Sequence, residues 1–228
     1  QLGQPDNRWL LVFDNAGSPD SVQPFFPSGS GRILVTSRDM SWARVVNVLE
    51  VDLFTREESI EMLRRIGGDI GEADADRLAE ALGDLPLAVE QAAVWRAQTG
   101  MPAVEYLGLL KGHLEDLPED EPGEYGLMRS VAAAWSVPLH HLRTEFPAAL
   151  QLLQACAYFG PESISQSFFT GHPDAPVPEA LAEAMADPAA LQQVVNQIRR
   201  YGLAKVDERD GSLRLHRLVQ EVIKKQLS

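Results

Sequence analysis

The 228-residue chain reads as α/β at its start, a partial parallel sheet, followed by a four-helix bundle and a winged-helix domain, so that it is mostly α overall. Three observations predict this. Two apolar runs, Arg8 to Ala16 (RWLLVFDNA) and Gly31 to Arg38 (GRILVTSR), each close on polar groups, the pattern of parallel strands buried on both faces. Helical periodicity dominates from Thr55 onward. Near the carboxyl end, Asp210-Gly211 between short apolar segments marks a hairpin set among helices.

Taken in order, the two strands are joined by a small-residue turn, Ser28 to Gly31. Val45 to Phe54 (VVNVLEVDLF) suggests a third strand. Thr55 and Glu58 then form a capping-box pattern, which starts a helix through Ile60, Leu63 and Ile66 that Gly67 and Gly68 stop. A second helix covers Ala73 to Leu82 and ends at Gly83. Pro86 suits the first position of a third helix, which Val89, Ala92 and Ala93 make apolar on one face before Gly100, and Pro102 starts a fourth. Short connections between these helices imply a compact bundle. Beyond Met128, three segments of helical period lead to Gly202–Val206, the turn DERDG, Ser212–Leu215 and a final helix from His216. Helices with a terminal hairpin suggest the winged-helix arrangement.

The formal charge is -13, and residues 1–127 hold 10 Lys+Arg against 23 Asp+Glu, while residues 128–228 hold 10 of each. The change falls at Gly112–Gly126, rich in Pro, Gly and acids, which reads as a linker. The expected divisions are 1–54, 55–111, 112–127 and 128–228. Such acidity argues against general nucleic-acid binding, which relies on Lys and Arg to neutralise phosphates. Cys156, the single cysteine, lies in the apolar segment QLLQACAYF and reads as buried; with no internal disulfide possible, a reducing compartment is favoured. No window approaches a membrane span and Gln1 begins no recognisable signal peptide, so the expectation is a soluble, cytoplasmic chain without a membrane partner.

Open α/β sheets bind ligands at the carboxyl ends of their strands. A carboxylate there, Asp14, suits the water shell of a Mg²⁺ that bridges nucleotide phosphates, and Arg38 stands where it could reach a terminal phosphate. A serine- or cysteine-nucleophile hydrolase is excluded by the lack of a nucleophile elbow and by the burial expected of Cys156. His113, His140, His141 and His172 show no metal-ligand spacing with Cys, Asp or Glu.

In their order, four motifs resemble those of the NB-ARC family, regulatory ATPases of the STAND class with a P-loop-type sheet. LLVFDNA is similar to its Walker B strand, ILVTSR to its sensor strand, GDLPLA to its glycine-leucine-proline motif, and LHRLVQ to the histidine motif of its winged helix. The resemblance implies that Asp14 holds the Mg²⁺ water shell, Arg38 senses the γ-phosphate, Pro86 packs on the base or sugar, and His216 contacts the β-phosphate of ADP. It implies ADP or ATP with Mg²⁺ as cofactors of a longer protein.

Two departures stand out. No Gly-Lys-Ser/Thr phosphate loop occurs, since Ser28-Gly29-Ser30-Gly31 leads into a strand where such a loop must open a helix. The expectation is a fragment lacking the Walker A half, with the loop preceding Gln1, unable to bind nucleotide tightly and inactive by itself. Asn15 stands at a catalytic position next to Asp14, where an amide polarises water poorly, which suits slow hydrolysis. The leading reading is an ADP/ATP-controlled signal-transduction switch capable of self-association, with unknown effector or sensor partners. The alternatives are a winged-helix DNA-binding regulator, drawn from the basic residues of 199–228, and a packing or oligomerisation module.

Overall fold

The computed structural model describes residues 8–116, 124–160, 162–170, 176–207 and 209–227, with only the backbone of 116 and 124–128. Two compact units are present, Gln1–Asp52 and Leu53–Ser228. Among the described residues the chain is mostly α-helical, with one small parallel sheet and one short antiparallel pair.

In the first unit, β1 (Leu10–Ala16) pairs in parallel with β2 (Arg32–Ser37), and the one-turn helix α1 (Pro19–Val22) lies between them in sequence. One face of the pair is packed. Phe13 lies 5.4 Å from Phe26 and Phe26 6.3 Å from Trp42, whose buried indole donates its Nε1–H to the Gly17 carbonyl at 2.8 Å. Gly31 is required here, because a Cβ would collide with the indole of Trp9.

The other face corrects the expectation of strands buried on both sides. Leu10, Val12 and Leu34 are 64%, 50% and 53% exposed, so the uninterrupted apolar runs exceed what this unit covers. The third strand expected over Val45–Phe54 does not form either. Residues 47–55 carry neither helix nor strand, and Leu49 and Val51 are almost fully exposed. The residues have strand propensity, but a strand forms only when its backbone pairs with another, and none of these residues pairs with β1 or β2.

The second unit holds α2 (Arg56–Gly67), α3 (Glu72–Ala81), α4 (Pro86–Thr99) and α5 (Ala103–Asp116), then α6 (Glu124–Glu145), α7 (Pro147–Cys156), α8 (Glu179–Ala186) and α9 (Pro188–Arg200). The hairpin β3 (Lys205–Val206) and β4 (Leu213–Arg214) precedes α10 (Arg217–Leu227). The capping box of α2 is complete: Thr55 Oγ1 accepts from the Glu58 amide at 3.3 Å, and Glu58 Oε2 accepts from the Thr55 amide at 2.8 Å. Pro86 opens α4 at its first turn, and Gly100 closes it in left-handed backbone at φ 68°. Gly211 turns the hairpin at φ 69°.

Helix enters the acid-rich stretch 112–127 from both sides, since α5 runs to Asp116 and α6 begins at Glu124; residues 117–123 lie outside the described residues. The helices before and after it share one core, in which Leu63, Leu78, Tyr106, Trp135, Leu153 and Ile223 are buried. α6 continues through Pro138, which lacks the N–H that would bond the Ala134 carbonyl four residues back. The fully buried Tyr106 hydroxyl of α5 points to that carbonyl at 3.5 Å, a long contact that partly replaces the missing donor. Desolvation raises the Tyr106 pKa, so the phenol remains a donor. Cys156 is buried and its thiol is pushed up to about 12 by desolvation, which makes it a small hydrophobe rather than a nucleophile.

Candidate functional site

Asp14 and Asn15 of β1 stand together opposite Thr36 of β2, because the register shifts between Phe13 and Ala16. This bulge kinks the end of β1 and re-aims its side chains. Asn15 takes left-handed backbone at φ 53°, a conformation that asparagine tolerates better than most residues. Its amide N–H donates to Thr36 Oγ1 at 2.8 Å, and the Thr36 hydroxyl in turn donates to Asp14 Oδ1 at 2.6 Å. One oxygen of Asp14 is thereby fixed while the residue remains exposed. Ser37 secures the same edge by donating to the Ala16 carbonyl at 2.7 Å.

Arg38 follows β2 directly and is exposed at this end of the sheet. Asp39 then caps the next turn, its Oδ1 accepting from the Ser41 amide at 2.8 Å. Asp14, Asn15 and Arg38 are therefore brought to one strand edge, and Thr36 joins them. A single carboxylate oriented by a hydroxyl fits a hydrated Mg²⁺, which keeps several waters and takes one or two carboxylates. Among the described residues no group of three His, Cys, Asp or Glu side chains converges as a metal cage.

In the second unit, the turn before Pro86 is built from two successive left-handed residues, Gly83 at φ 65° and Asp84 at φ 52°. Arg56 holds it. Its Nε and Nη2 donate to the two Asp84 carboxylate oxygens at 3.0 and 2.9 Å, and its Nη1 reaches Asp76 Oδ1 at 2.9 Å. Hydrogen bonding from Arg56 holds the Asp84 carboxyl below the usual range. Pro86 is half-buried at the start of α4, two residues beyond the clamped Asp84.

His216 sits between β4 and α10. Its Nδ1 accepts the Leu218 amide N–H at 3.2 Å, so it caps α10. That bond assigns the tautomer: a neutral ring whose Nδ1 is an acceptor carries its proton on Nε2. Capping and donation to an anion are consequently compatible. Desolvation, then the charges of Arg217, Lys205 and Arg214, lowers the His216 pKa, partly opposed by Glu90.

One side of the imidazole faces Trp135 of α6, with ring centroids 6.2 Å apart. Trp135 donates Nε1–H to Gln91 Oε1 at 3.0 Å, and Gln91 Nε2 donates to the Tyr201 carbonyl at 2.8 Å. His216 is thus supported by a buried polar relay from α4, the helix that Pro86 opens. Gln91, Trp135, Arg56, Asp84 and Thr36 escape sequence reasoning, because each acts through a partner at least 22 residues away. Asp84, inside GDLPLA, and Thr36, inside ILVTSR, lie in motifs that draw attention, but neither motif assigns them a role.

Of the remaining histidines, His113, His140 and His141 lie against other rings. His141 contacts Trp95 edge-on at 5.3 Å and faces the Tyr201 hydroxyl at 3.3 Å, and His113 and His140 lie 6.0 Å apart. His172 lies outside the described residues.

A family model described as a domain of unknown function, DUF7779, matches residues 140–228, from the last turns of α6 through the hairpin and α10. That stretch includes His216 and excludes Asp14, Arg38 and Pro86. Comparison with curated proteins gives no match. Among the described residues no helix is long and apolar enough to cross a membrane.

Proposed function

We propose that the chain is part of an NB-ARC-type, STAND-class regulatory switch controlled by ADP and ATP. The observation that carries this reading is the bulged strand end, where Thr36 fixes one oxygen of Asp14 and leaves the carboxylate exposed. A strand-end carboxylate oriented by the hydroxyl of the adjacent parallel strand is suited to the water shell of Mg²⁺ on a nucleotide. Asn15, neutral and committed to turn geometry, makes hydrolysis slow. Arg38, at the same edge, recognises the terminal phosphate.

In the second unit, α2 to α5 form the four-helix bundle and the later helices with the hairpin form the winged helix. Pro86 offers a rigid apolar contact to the base or sugar, and His216 donates Nε2–H to a phosphate. Differential contact supplies the switch, since a ligand shifts an equilibrium only by the difference in its affinities for the two states. Loss of the ADP contact at His216 opens the protein and permits self-association. The exposed apolar face of Leu10, Val12 and Leu34 fits a parallel sheet whose second face is covered by further helices, which, with the phosphate loop, would belong to the longer protein.

The test is calorimetry with ADP and Mg²⁺. The natural full-length protein should bind, the 228-residue chain should show no affinity of micromolar or better, and Asp14→Ala in the full-length protein should weaken the Mg²⁺-dependent part. Unchanged metal dependence in Asp14→Ala, or absence of nucleotide binding by the full-length protein, overturns the reading.

A further inference from the structure

The β3–β4 hairpin has a third partner. Ile164 exchanges both backbone hydrogen bonds with Leu213 of β4, its amide donating at 2.7 Å and its carbonyl accepting at 2.8 Å. β4 is therefore paired on both sides, and the segment around Ile164 forms an outer edge of this small sheet. In an antiparallel ladder the residues flanking such a pair aim their N–H and C=O groups away from the partner strand. Those residues are Ser163 and Ser165, both exposed. Among the described residues the N–H and C=O of Ser163 have no hydrogen-bond partner, while the Ser165 carbonyl accepts from the Phe168 amide at 3.0 Å and its N–H stays open.

This edge borders a groove of about 410 Å³ whose lining includes Phe159, Glu162, Ser163, Ser165 and Phe168. Among the described residues none of β4 lines it, so the groove runs along the side that faces away from the hairpin. Phe159 and Phe168 meet edge to face, with ring centroids 5.0 Å apart and planes at 89°, and Phe168 is left 60% exposed. Buried Phe169 packs against both and anchors them. Glu162 is exposed and forms no ion pair among the described residues. Its Oε2 folds over Gly160, where a Cβ would collide with it, so the carboxylate lies against the groove. Among the described residues no Lys, Arg or His lines the groove, and Lys224, which stands over the ring of Tyr158 next door, is paired with Glu221 at 3.4 Å.

We propose that this edge docks an extended segment of a partner protein that carries an arginine. The segment adds to the sheet as a further strand, exchanging main-chain hydrogen bonds with Ser163 and accepting the Ser165 N–H. Its arginine lays the apolar stem and guanidinium along the rings of Phe159 and Phe168 and meets the Glu162 carboxylate with its fork of donors. Charge selects the occupant. An acidic strand would face the carboxylate with a like charge, and a wholly apolar one would cover it without a partner. None of these residues takes part in the nucleotide reading, so the two stand or fall separately.

The test selects ligands for the 228-residue chain from displayed random octapeptides and then titrates the selected peptides, capped at both ends, by fluorescence anisotropy and by the Ser163 and Ser165 amide signals in NMR. The selected sequences should contain arginine, and the two amide signals should move to saturation. Glutamate in place of that arginine should weaken binding at least tenfold, as should Glu162→Lys in the protein. Ser163→Pro removes the outward N–H and should abolish binding, with circular dichroism unchanged because that N–H holds nothing in the fold. Methylating the backbone amides of the peptide should abolish binding as well, and this arm needs no change in the protein.

No selected sequence, selected sequences without arginine, or binding indifferent to both Glu162→Lys and amide methylation overturns the proposal. Self-association of the chain in sedimentation that Glu162→Lys removes also overturns it, in favour of a second copy at this edge.

Discussion

His216 is expected from the resemblance to contact phosphate, and its hydrogen bond from the Leu218 amide makes it a helix cap as well, the two roles using opposite nitrogens of one ring. Nδ1 accepts only when it is unprotonated, and the ring's pKa lies below the ordinary 6.5, chiefly through desolvation. The folded state therefore holds fewer protons at this site than the unfolded chain. Its contribution to stability is present above the unfolded value and is lost as pH falls through the lower folded value. His216→Asn should retain much of the cap and abolish this pH dependence, while His216→Ala should cost about 1 kcal/mol through loss of the cap. Urea midpoints of the three proteins at pH 8 and pH 5 check this. An equal acid-induced drop in His216→Asn and the native chain would assign the effect to another group. In the full-length protein both variants should lower ADP affinity, because neither supplies the Nε2–H.

Among the elements, α4 is the one on which most of the site depends. It starts at Pro86, carries Glu90, whose charge acts on His216, and through Gln91 ties the Trp135 indole to Tyr201, the residue that follows α9. Gln91 is 4% exposed and satisfies a donor and an acceptor that have no water to turn to. Gln91→Leu should destabilise the second unit by on the order of 3 kcal/mol, since each buried group left unpaired costs about 1 to 3 kcal/mol. Chemical denaturation measures this, and a loss under 1 kcal/mol would mean the relay contributes little. The start of α4 is legible in the sequence because proline at a first helical position is a local signal, as is the Thr55–Glu58 capping box. The relay is not legible, because Gln91 and Trp135 are 44 residues apart and either would pass for an ordinary helical residue. The same distinction explains Thr36, whose hydroxyl orients Asp14 only after two strands have paired. It also explains Val45–Phe54, where local strand propensity does not by itself bring the segment into pairing with β1 or β2. α8, which is not among the helical segments read from the sequence, is missed for another reason: EALAEAMA is 8 residues, about two turns, too short for a helical period to stand out.

For the whole molecule, the two units differ in how much of their apolar surface they cover. The first leaves Leu10, Val12 and Leu34 at least half exposed on a two-stranded sheet, and such a pair is marginally stable without further strands or helices on its face. The second has one continuous core from Leu63 to Ile223, joined across the acid-rich stretch by packing of α6 on both α4 and α5. Stability should therefore reside in the second unit. A protein comprising 53–228 should fold alone, with helical circular dichroism and a single cooperative unfolding transition whose midpoint lies within a few degrees of the main transition of the 228-residue chain. Limited proteolysis of the longer chain should cut first within 45–53, where the backbone has no regular structure and the side chains are exposed, and should leave 53–228 resistant. Both measurements are needed, because a resistant product shows protection and the melt shows cooperativity. An unfolded 53–228 protein, or a midpoint lowered by tens of degrees, would mean that the strands of the first unit contribute to the core of the second.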